Sequence, residues 1–294
     1  MGRTDLDIGG YDSPPLLMTS KSGPAVARFR GDIYLAWVGD PNLLINVINF
    51  RTMKKVPPLR QTGIGGAALA VLGDRLFVAW TGTDSEHHLN LMSSADGEHF
   101  ENKVTLPHTS FDRPALVAFR DQLYLAWSGT EGEGHLNVLH SRDGHADFSP
   151  NTKLADTSFA GPSLAVDDRR QTMTIGWVGR DGQGHLNFMP TGDGEHFGPK
   201  GPPLTETSQF APASDWYNDL IGSPQLFYAA WTGQDGSRSL NHIHSLLTDT
   251  YEGKVTLPWS SLAGPALLAS PGRVDIFWTE SDVGNIRHAR LQGV

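Results

Sequence analysis

The sequence predicts an all-β protein, a six-bladed β-propeller built from four-stranded antiparallel blades. A tryptophan-containing strand recurs six times, a small apolar strand usually precedes it, and a strand carrying an asparagine follows it in five of the six copies. The six tryptophans are Trp37, Trp80, Trp127, Trp177, Trp231 and Trp278. The intervals between them are 43, 47, 50, 54 and 47 residues, and four-stranded repeats of about this length are typical of propeller blades.

Each repeat divides into four short strands joined by turns. The first strand usually opens with Pro and a small residue, as at residues 23–27 and 161–165, and these small side chains suit the crowded axis of a propeller. The second strand alternates strictly, because Leu123, Leu125 and Trp127 share one face of an extended chain. The fourth strand is clearest at residues 103–106 and 254–257.

The chain ends predict how the ring closes. The last repeat has three strands and no fourth, whereas residues 15–20 resemble residues 105–110 in register. We therefore expect an N-terminal strand to complete blade six, which would protect the open edges of the ring. No linker interrupts the periodicity, so residues 1–294 are predicted to form one domain.

Composition narrows the function classes. The net charge of −9 argues against a nucleic-acid partner, because binding phosphates requires a basic surface. The absence of cysteine excludes disulfides, thiolate metal sites and a cysteine nucleophile. The sequence shows no signal peptide and no apolar run long enough for membrane insertion, so a soluble and by default cytoplasmic protein is expected. No cofactor is predicted, and oligomeric state stays open.

A turn motif recurs after the third strand of three blades. It reads Ser-Ala-Asp-Gly-Glu-His-Phe at 94–100, Ser-Arg-Asp-Gly-His-Ala-Asp-Phe at 141–148 and Thr-Gly-Asp-Gly-Glu-His-Phe at 191–197. The motif resembles the Asp-box, or BNR repeat, of sialidase-like propellers. That resemblance implies local turns on the face away from the active site, so Asp96, Asp143 and Asp193 are interpreted as structural.

The resemblance does not extend to the sialidase catalytic set. That family is expected to carry three arginines for the substrate carboxylate, a Tyr–Glu pair as nucleophile and an Asp as acid/base, with an Arg-Ile-Pro segment in the first blade. The nearest segment here is Phe111-Asp112-Arg113-Pro114, which lacks the isoleucine and belongs to the third inner strand. The catalytic residues of sialidases therefore cannot be assigned to positions of this chain.

Polar and aromatic residues recur at matching loop positions on one face. The loops between the second and third strands supply Asp84 and His88, Glu131 and His135, Asp181 and His185, and Asp235 and Arg238. The crossover loops between blades supply Phe111, Arg113 and Phe159. Such side chains hydrogen-bond sugar hydroxyls and stack on sugar rings, which predicts a lectin-like protein with repeated sites for a glycan or other small polar ligand.

Other interpretations stay open. The repeated residues could simply make turns and fill gaps between blades. Histidines in neighbouring blades are too far apart to share one zinc ion, so no metal site is expected. Breaks in the repeat at Trp259, Glu280, Asp282 and Arg287, and an apparent insertion at residues 214–219, favour an enzyme with one acid/base site near blades five and six. A protein-interaction scaffold would show exposed apolar patches instead.

Overall fold

The computed structural model describes residues 18–217, 225–247 and 250–291, which form six antiparallel sheets. Blade one contains β1 (Ala25–Phe29), β2 (Asp32–Val38), β3 (Ile45–Asn49) and β4 (Lys54–Lys55). Blade two contains β5 (Gly63–Leu72), β6 (Arg75–Gly82), β7 (His88–Ser94) and β8 (Glu101–Thr109). Blade three contains β9 (Ala115–Phe119), β10 (Gln122–Ser128), β11 (His135–Ser141) and β12 (Thr152–Thr157).

The second half of the chain repeats this arrangement. Blade four contains β13 (Ser163–Asp167), β14 (Thr172–Val178) and β15 (Leu186–Thr191). Blade five contains β16 (Ala213–Tyr217), β17 (Leu226–Thr232), β18 (Ser239–Leu247) and β19 (Thr250–Ser260). Blade six contains β20 (Ala266–Ser270), β21 (Arg273–Thr279) and β22 (Ile286–Leu291). Within these ranges no helix is long and apolar enough to cross a bilayer.

The six inner strands form a closed ring. Contacts run from β1 to β5, β9, β13, β16 and β20 in turn, and β20 returns to β1. Each sheet lies in strand order from the axis outward, which is the meander of a propeller blade. The all-β, six-bladed prediction is confirmed.

Chain segments outside the named strands complete two blades. In blade six, Ile286 N–H donates to the Met18 carbonyl at 3.0 Å, and Ser20 N–H donates to the Gly284 carbonyl at 2.9 Å. The N-terminal segment thus lies beside β22 as predicted, although residues 15–17 lie outside the described part of the chain. In blade four, Leu204 N–H donates to the Leu186 carbonyl at 2.8 Å and supplies the outer position.

The recurring tryptophans form the core between blades. All six side chains have relative exposures of 1–2 %. Trp80 packs with residues of blade one, and Trp231 packs with residues of blade four, so each tryptophan faces the preceding blade. Burying six such rings removes a large apolar area from water, which is the main stabilising contribution of the repeat.

The Asp-containing turns connect neighbouring blades. Asp96 Oδ1 accepts the backbone N–H groups of Glu98 and His99 at 2.7 and 2.8 Å, and Ser94 Oγ donates to the same oxygen at 2.9 Å. Gly97 has a φ of +79°, and a Cβ there would lie 2.3 Å from the Tyr34 hydroxyl of blade one. The turn is therefore a structural contact against the preceding blade, in keeping with the interpretation from the sequence.

Four of the six residues of the apparent insertion in blade five belong to a regular strand. Residues 214–217 belong to the inner strand β16, in which Ala213 pairs with Ala230 and Tyr217 with Leu226. In this strand Ala211 stands where residues 23, 161 and 264 are glycine before the proline, and Trp216 stands where blades three and six have Ala118 and Ala269. Residues 218 and 219 lie outside the described residues.

Candidate functional site

One face of the ring collects the loops that the sequence singled out. Because the strands of a blade are antiparallel, the inner strand begins where the second strand ends, the third begins and the fourth ends. The loops between second and third strands therefore lie beside the crossover loops, and we call this the top face. The Asp-containing turns lie on the opposite face.

Arg113 fills the propeller axis at the top face. Its side chain is buried, and its Nη2 donates to the carbonyls of Ala211, Pro212 and Pro265 at 3.2–3.3 Å. Its Nη1 donates to the Pro24 carbonyl at 3.5 Å. The acceptors belong to blades one, five and six, whereas Arg113 belongs to blade three. The guanidinium is therefore an axial plug with a structural role.

The backbone around Arg113 leaves little free space at the axis. A Cβ on Gly23 would lie 2.1 Å from the Gly264 carbonyl oxygen, and one on Gly161 would lie 2.2 Å from the Arg113 carbonyl oxygen. Behind the plug the inner strands enclose a cavity of about 100 Å³. Among the described residues, the axis at the top face is thus filled by the Arg113 guanidinium.

Asp215 joins the inner strands of blades five and six. Its carboxylate accepts the backbone N–H groups of Trp216 and Ala269, each at 2.8 Å. Burial raises the pKa of Asp215 to about 6, despite these hydrogen bonds.

This raised pKa predicts a pH-dependent stability. The unfolded carboxyl ionises near 3.8, so between pH 4 and 6 the folded state binds more protons, and stability falls as pH rises. We expect a loss of up to about 3 kcal/mol across this window, measured by urea unfolding. Asp215→Asn should flatten this part of the profile, while Asp74→Asn, in an exposed turn, should leave it unchanged. Equal slopes in wild type and Asp215→Asn would contradict the assignment.

The boundary between blades one and two opens into a polar cleft on the top face. Its cavity measures about 370 Å³. The lining comprises Arg60, Gln61 and Thr62 from blade one and Trp80, Gly82, Thr83, Asp84, His88, Asn90, Lys103 and Thr105 from blade two. A volume of this size accommodates a small ligand such as a monosaccharide.

A hydrogen-bonded Asp–His pair forms one wall of this cleft. His88 Nδ1 lies 2.7 Å from Asp84 Oδ1, and Asp84 also accepts the His88 backbone N–H at 3.2 Å. Partial burial raises the pKa of Asp84, but the hydrogen bonds from His88 and the Glu86 amide outweigh it and lower the pKa below the usual value. Asp84 is therefore an ionised acceptor. The His88 side chain remains 29 % exposed, which leaves its ring accessible to a ligand.

Asn90 and Thr105 form the floor of the cleft beside the Asp–His pair. Asn90 Nδ2 donates to the His88 carbonyl at 2.8 Å, and Thr105 Oγ1 donates to Asn90 Oδ1 at 2.7 Å. These bonds fix the orientation of the amide. Gly82 is required opposite, because a Cβ there would lie 2.4 Å from Asp84 Oδ2.

Lys103 and Gln61 border the opening of the cleft. Lys103 Nζ lies 5.9 Å from the centroid of the Trp80 ring, within cation–π range. Within the described residues, neither Lys103 nor Gln61 makes a side-chain hydrogen bond or ion pair with the protein. The exposed Arg60 adds a second positive charge at the rim.

Other blade boundaries carry the same framework but are covered. Each covering residue stands two positions before a serine of the crossover loop. These serines are Ser20, Ser110, Ser158, Ser208 and Ser261. His108 packs on Trp127 with centroids 5.0 Å apart, and Trp259 stacks on Trp278 at 4.8 Å. At the next two boundaries the covering carboxylates form ion pairs, Asp156 with Lys200 at 2.7 Å and Glu206 with Lys254 at 2.5 Å. At the boundary between blades six and one, Met18 is buried with Trp37.

The predicted loop residues occupy equivalent places around the ring. Asp181 and His185 repeat the pair of blade two, with Nδ1 2.6 Å from Oδ2. Partial burial raises the pKa of Asp181, but the bonds from His185 and from backbone amides lower it to about 2. In blade three His135 Nδ1 instead lies 3.0 Å from the Leu154 carbonyl, and Glu131 pairs with Lys153 at 3.6 Å.

In blade five the turn lacks the histidine altogether. Asp235 accepts the Ser239 backbone N–H at 3.2 Å, and the Arg238 backbone N–H donates to the Asp235 carbonyl at 3.0 Å. Across the described ranges, no three His, Asp or Glu side chains are grouped so that they could hold a metal ion.

The remaining predicted residues lie at contacts between blades. Phe111 and Phe159 are half-buried beside Gly134 and Gly184 of the following blades, where a Cβ would approach the rings to 3.1 and 3.2 Å. Glu280 accepts a hydrogen bond from Arg287 at 2.7 Å. This ion pair replaces the Gly and Asn that occupy the same positions in the other blades.

Solved structures with the same fold include proteins that act on or bind sugars. An α-L-arabinanase of Penicillium chrysogenum, in complex with arabinobiose, matches with a TM-score of 0.71 at 11 % identity over 96 % of each chain. An α-L-arabinofuranosidase of Fusarium graminearum matches at 0.68 and 13 % identity over 95 % of each chain. A Trypanosoma rangeli sialidase with bound sialic acid matches at 0.66 and 12 % identity, over 98 % of this chain and 60 % of that one.

These similarities establish the fold alone, because the identities are low. No protein-family model matches the chain, and no curated protein matches it in sequence. The propeller architecture is thus shared with these enzymes, whereas the chemistry of the site must be argued from its own residues.

The sequence predicted the Asp–His wall of the cleft but missed its other sides. Trp80, Asn90 and Lys103 were used as markers of the repeat, and Gln61 was not noticed. The signal that points to this cleft is the residue two positions before the crossover-loop serine, or before Gly63 in blade two. This position holds His108, Asp156, Glu206, Trp259 and Gln61, which differ from one boundary to the next.

Proposed function

We propose that the protein is a carbohydrate-binding propeller whose principal site is the cleft between blades one and two. The observation that carries this proposal is the cavity of about 370 Å³ lined by fixed hydrogen-bonding side chains, at a boundary where the covering residue is Gln61. Solved proteins of the same fold hold arabinobiose or sialic acid, which supports a sugar as the ligand.

The lining matches the donor and acceptor pattern of a pyranose. The ionised Asp84 and the oxygens of Thr83 and Thr105 accept hydrogen bonds from hydroxyl groups, while Lys103 donates to sugar oxygens. His88 orders this wall, with its Nδ1 2.7 Å from Asp84 Oδ1 and its Nε2 3.3 Å from the Glu86 carboxylate. Asp84 and Asn90 are already held by protein hydrogen bonds, so a ligand would meet a preorganised wall. Preorganisation reduces the entropy lost on binding.

Binding fits this cleft better than hydrolysis does. A glycoside hydrolase needs a protonated carboxyl with a raised pKa as general acid, opposite a second carboxylate. The pKa of Asp84 is lowered instead, and the hydrogen bonds from His88 favour its ionised form. The alternative, a single acid/base site at the channel mouth near blades five and six, would draw on Glu280, whose carboxylate is held in an ion pair with Arg287 at 2.7 Å.

A protein-interaction scaffold receives less support from the surface. Among the described residues, the large exposed apolar side chains are Leu43, Met53, Leu246 and Val283. They come from blades one, five and six, Leu246 from strand β18 and the others from loops and turns. Scattered apolar residues are ordinary on soluble proteins and do not form a docking patch.

A glycan array followed by calorimetry tests the proposal. We expect binding to a restricted set of glycans with about one strong site per chain. His88→Ala should weaken binding at least about tenfold, because it removes the hydrogen bond that holds the Asp84 carboxylate in place. His185→Ala is the matched control, since it removes the same pair in blade four, where Asp156 and Lys200 cover the boundary. Equal losses in both variants, or no glycan binding, would refute the proposed site.

A further inference from the structure

We infer that the cleft between blades one and two selects sugars that carry a carboxylate, such as hexuronic acids. This inference rests on the proposed function and names its ligand class. The argument comes from comparing the same position at three boundaries of the ring.

At two boundaries, the lysine that recurs in the outer segment of the blade binds a carboxylate of the protein. In blades four and five a lysine of the outer segment lies over the blade's own tryptophan, with Nζ 5.5 and 5.9 Å from the ring centroids. A carboxylate from the preceding blade reaches each of them. Asp156 lies 2.7 Å from Lys200, and Glu206 lies 2.5 Å from Lys254. The protein thus places its own carboxylate above a Trp–Lys platform twice.

The third boundary has the same platform without the carboxylate. Lys103 lies over Trp80 with the same 5.9 Å separation, but the residue of the preceding blade is Gln61. The side chains of Lys103 and Gln61 make no polar contact elsewhere in the described ranges, and the cavity lies between them. A ligand carboxylate in the place of the Asp156 or Glu206 carboxylate would therefore find a lysine whose charge is not neutralised by the protein.

The rest of the cleft fits an acidic sugar in this orientation. Arg60 adds positive charge at the rim, and Asp84 and His88 also line the cleft. A hexuronic acid has its carboxylate on one side of the ring and its hydroxyl groups on the other. The carboxylate would pair with Lys103, and the hydroxyls would meet Asp84 and His88. A carboxylate beside Asp84 would be repelled, so the arrangement also fixes the direction of the sugar.

Matched ligand pairs test this inference on the full chain. The probes are the methyl glycosides of glucuronic, galacturonic and mannuronic acid, each measured by calorimetry beside the corresponding neutral hexoside. We expect at least one hexuronide to bind about tenfold more tightly than its neutral partner at low salt, and the difference to shrink as salt rises. Acetate at the same concentration should bind far more weakly.

Two substitutions assign the effect to the platform. Gln61→Glu introduces the carboxylate found at the other boundaries and should abolish the preference for the hexuronide while leaving the fold intact. Glu206→Gln removes the carboxylate facing Lys254 and should raise the number of hexuronide sites per chain from one toward two. Arg142→Ala, at an exposed position remote from the cleft, should change neither quantity.

The outcomes separate this inference from the proposed function. Hexosides and hexuronides that bind equally would overturn the acidic preference and leave sugar binding intact. A preference that survives Gln61→Glu would overturn the role of Lys103. If none of these probes binds, the inference fails, and the glycan array then decides the proposed function independently.

Discussion

Replacing Arg113 with alanine is expected to lower the free energy of unfolding by about 3 kcal/mol or more. The guanidinium is 8 % exposed, and it donates to carbonyls from three other blades. Removing it leaves these carbonyls without donors and opens an axial cavity, so both the polar and the packing costs apply. Urea unfolding followed by tryptophan fluorescence measures the change.

Two further variants separate those costs. Arg113→Met keeps much of the volume but none of the donors, and should still lose more than half of the stability lost by Arg113→Ala. Arg142→Ala removes an exposed arginine and should change stability by less than about 0.5 kcal/mol. A loss for Arg113→Ala as small as that of Arg142→Ala would show that the plug contributes nothing.

Replacing Asp275 with alanine is expected to cost about 3–5 kcal/mol. The Asp275 side chain is fully buried in β21, where it pairs with Arg273 and lies 2.7 Å from His288 Nε2. His288 also stacks on Phe277 at 4.6 Å. Removing the carboxylate takes away the buried acceptor that Arg273 and His288 share. Thermal and urea unfolding at neutral pH measure the loss.

The pH dependence of this loss supplies an internal check. Burial alone would raise the pKa of Asp275, but the hydrogen bonds from His288 and Arg273 outweigh it and lower the pKa. A lowered pKa in the folded state stabilises above the usual carboxyl pKa and is lost as pH falls through the folded value. Wild type and Asp275→Ala should therefore converge in stability in strong acid. A difference independent of pH would contradict this assignment, and Asp74→Ala should show no difference at any pH.

The fold could be predicted because the residues that define the repeat are buried. Each tryptophan packs against the preceding blade. The nearby glycine leaves room for the asparagine side chain of the next strand, so these residue types recur at matching positions. Met18 beside Ile286 could be predicted for the same reason. The inner strand of blade five could not, since Trp216 stands where blades three and six have alanine, and Ala211 stands where three other blades have glycine.

The site could be predicted only in part. Asp84 and His88 were found because they recur, but recurrence cannot tell an open boundary from a covered one. That difference depends on the side chain of the preceding blade, which is about twenty to forty residues away in the sequence. Arg113 shows a second limit of the sequence. A charged side chain near a loop is usually exposed, whereas tertiary contacts bury Arg113 at the axis.

The axial position of Arg113 has a consequence for how the chain folds. Its hydrogen-bond partners lie 89 to 152 residues away in sequence and belong to three blades, so these bonds cannot form until those blades have assembled around the axis. Contacts that form after the rate-limiting step affect unfolding much more than folding. Arg113→Ala should therefore speed unfolding and leave the refolding rate nearly unchanged. The axial arginine therefore contributes kinetic stability, because it prolongs the lifetime of the closed ring.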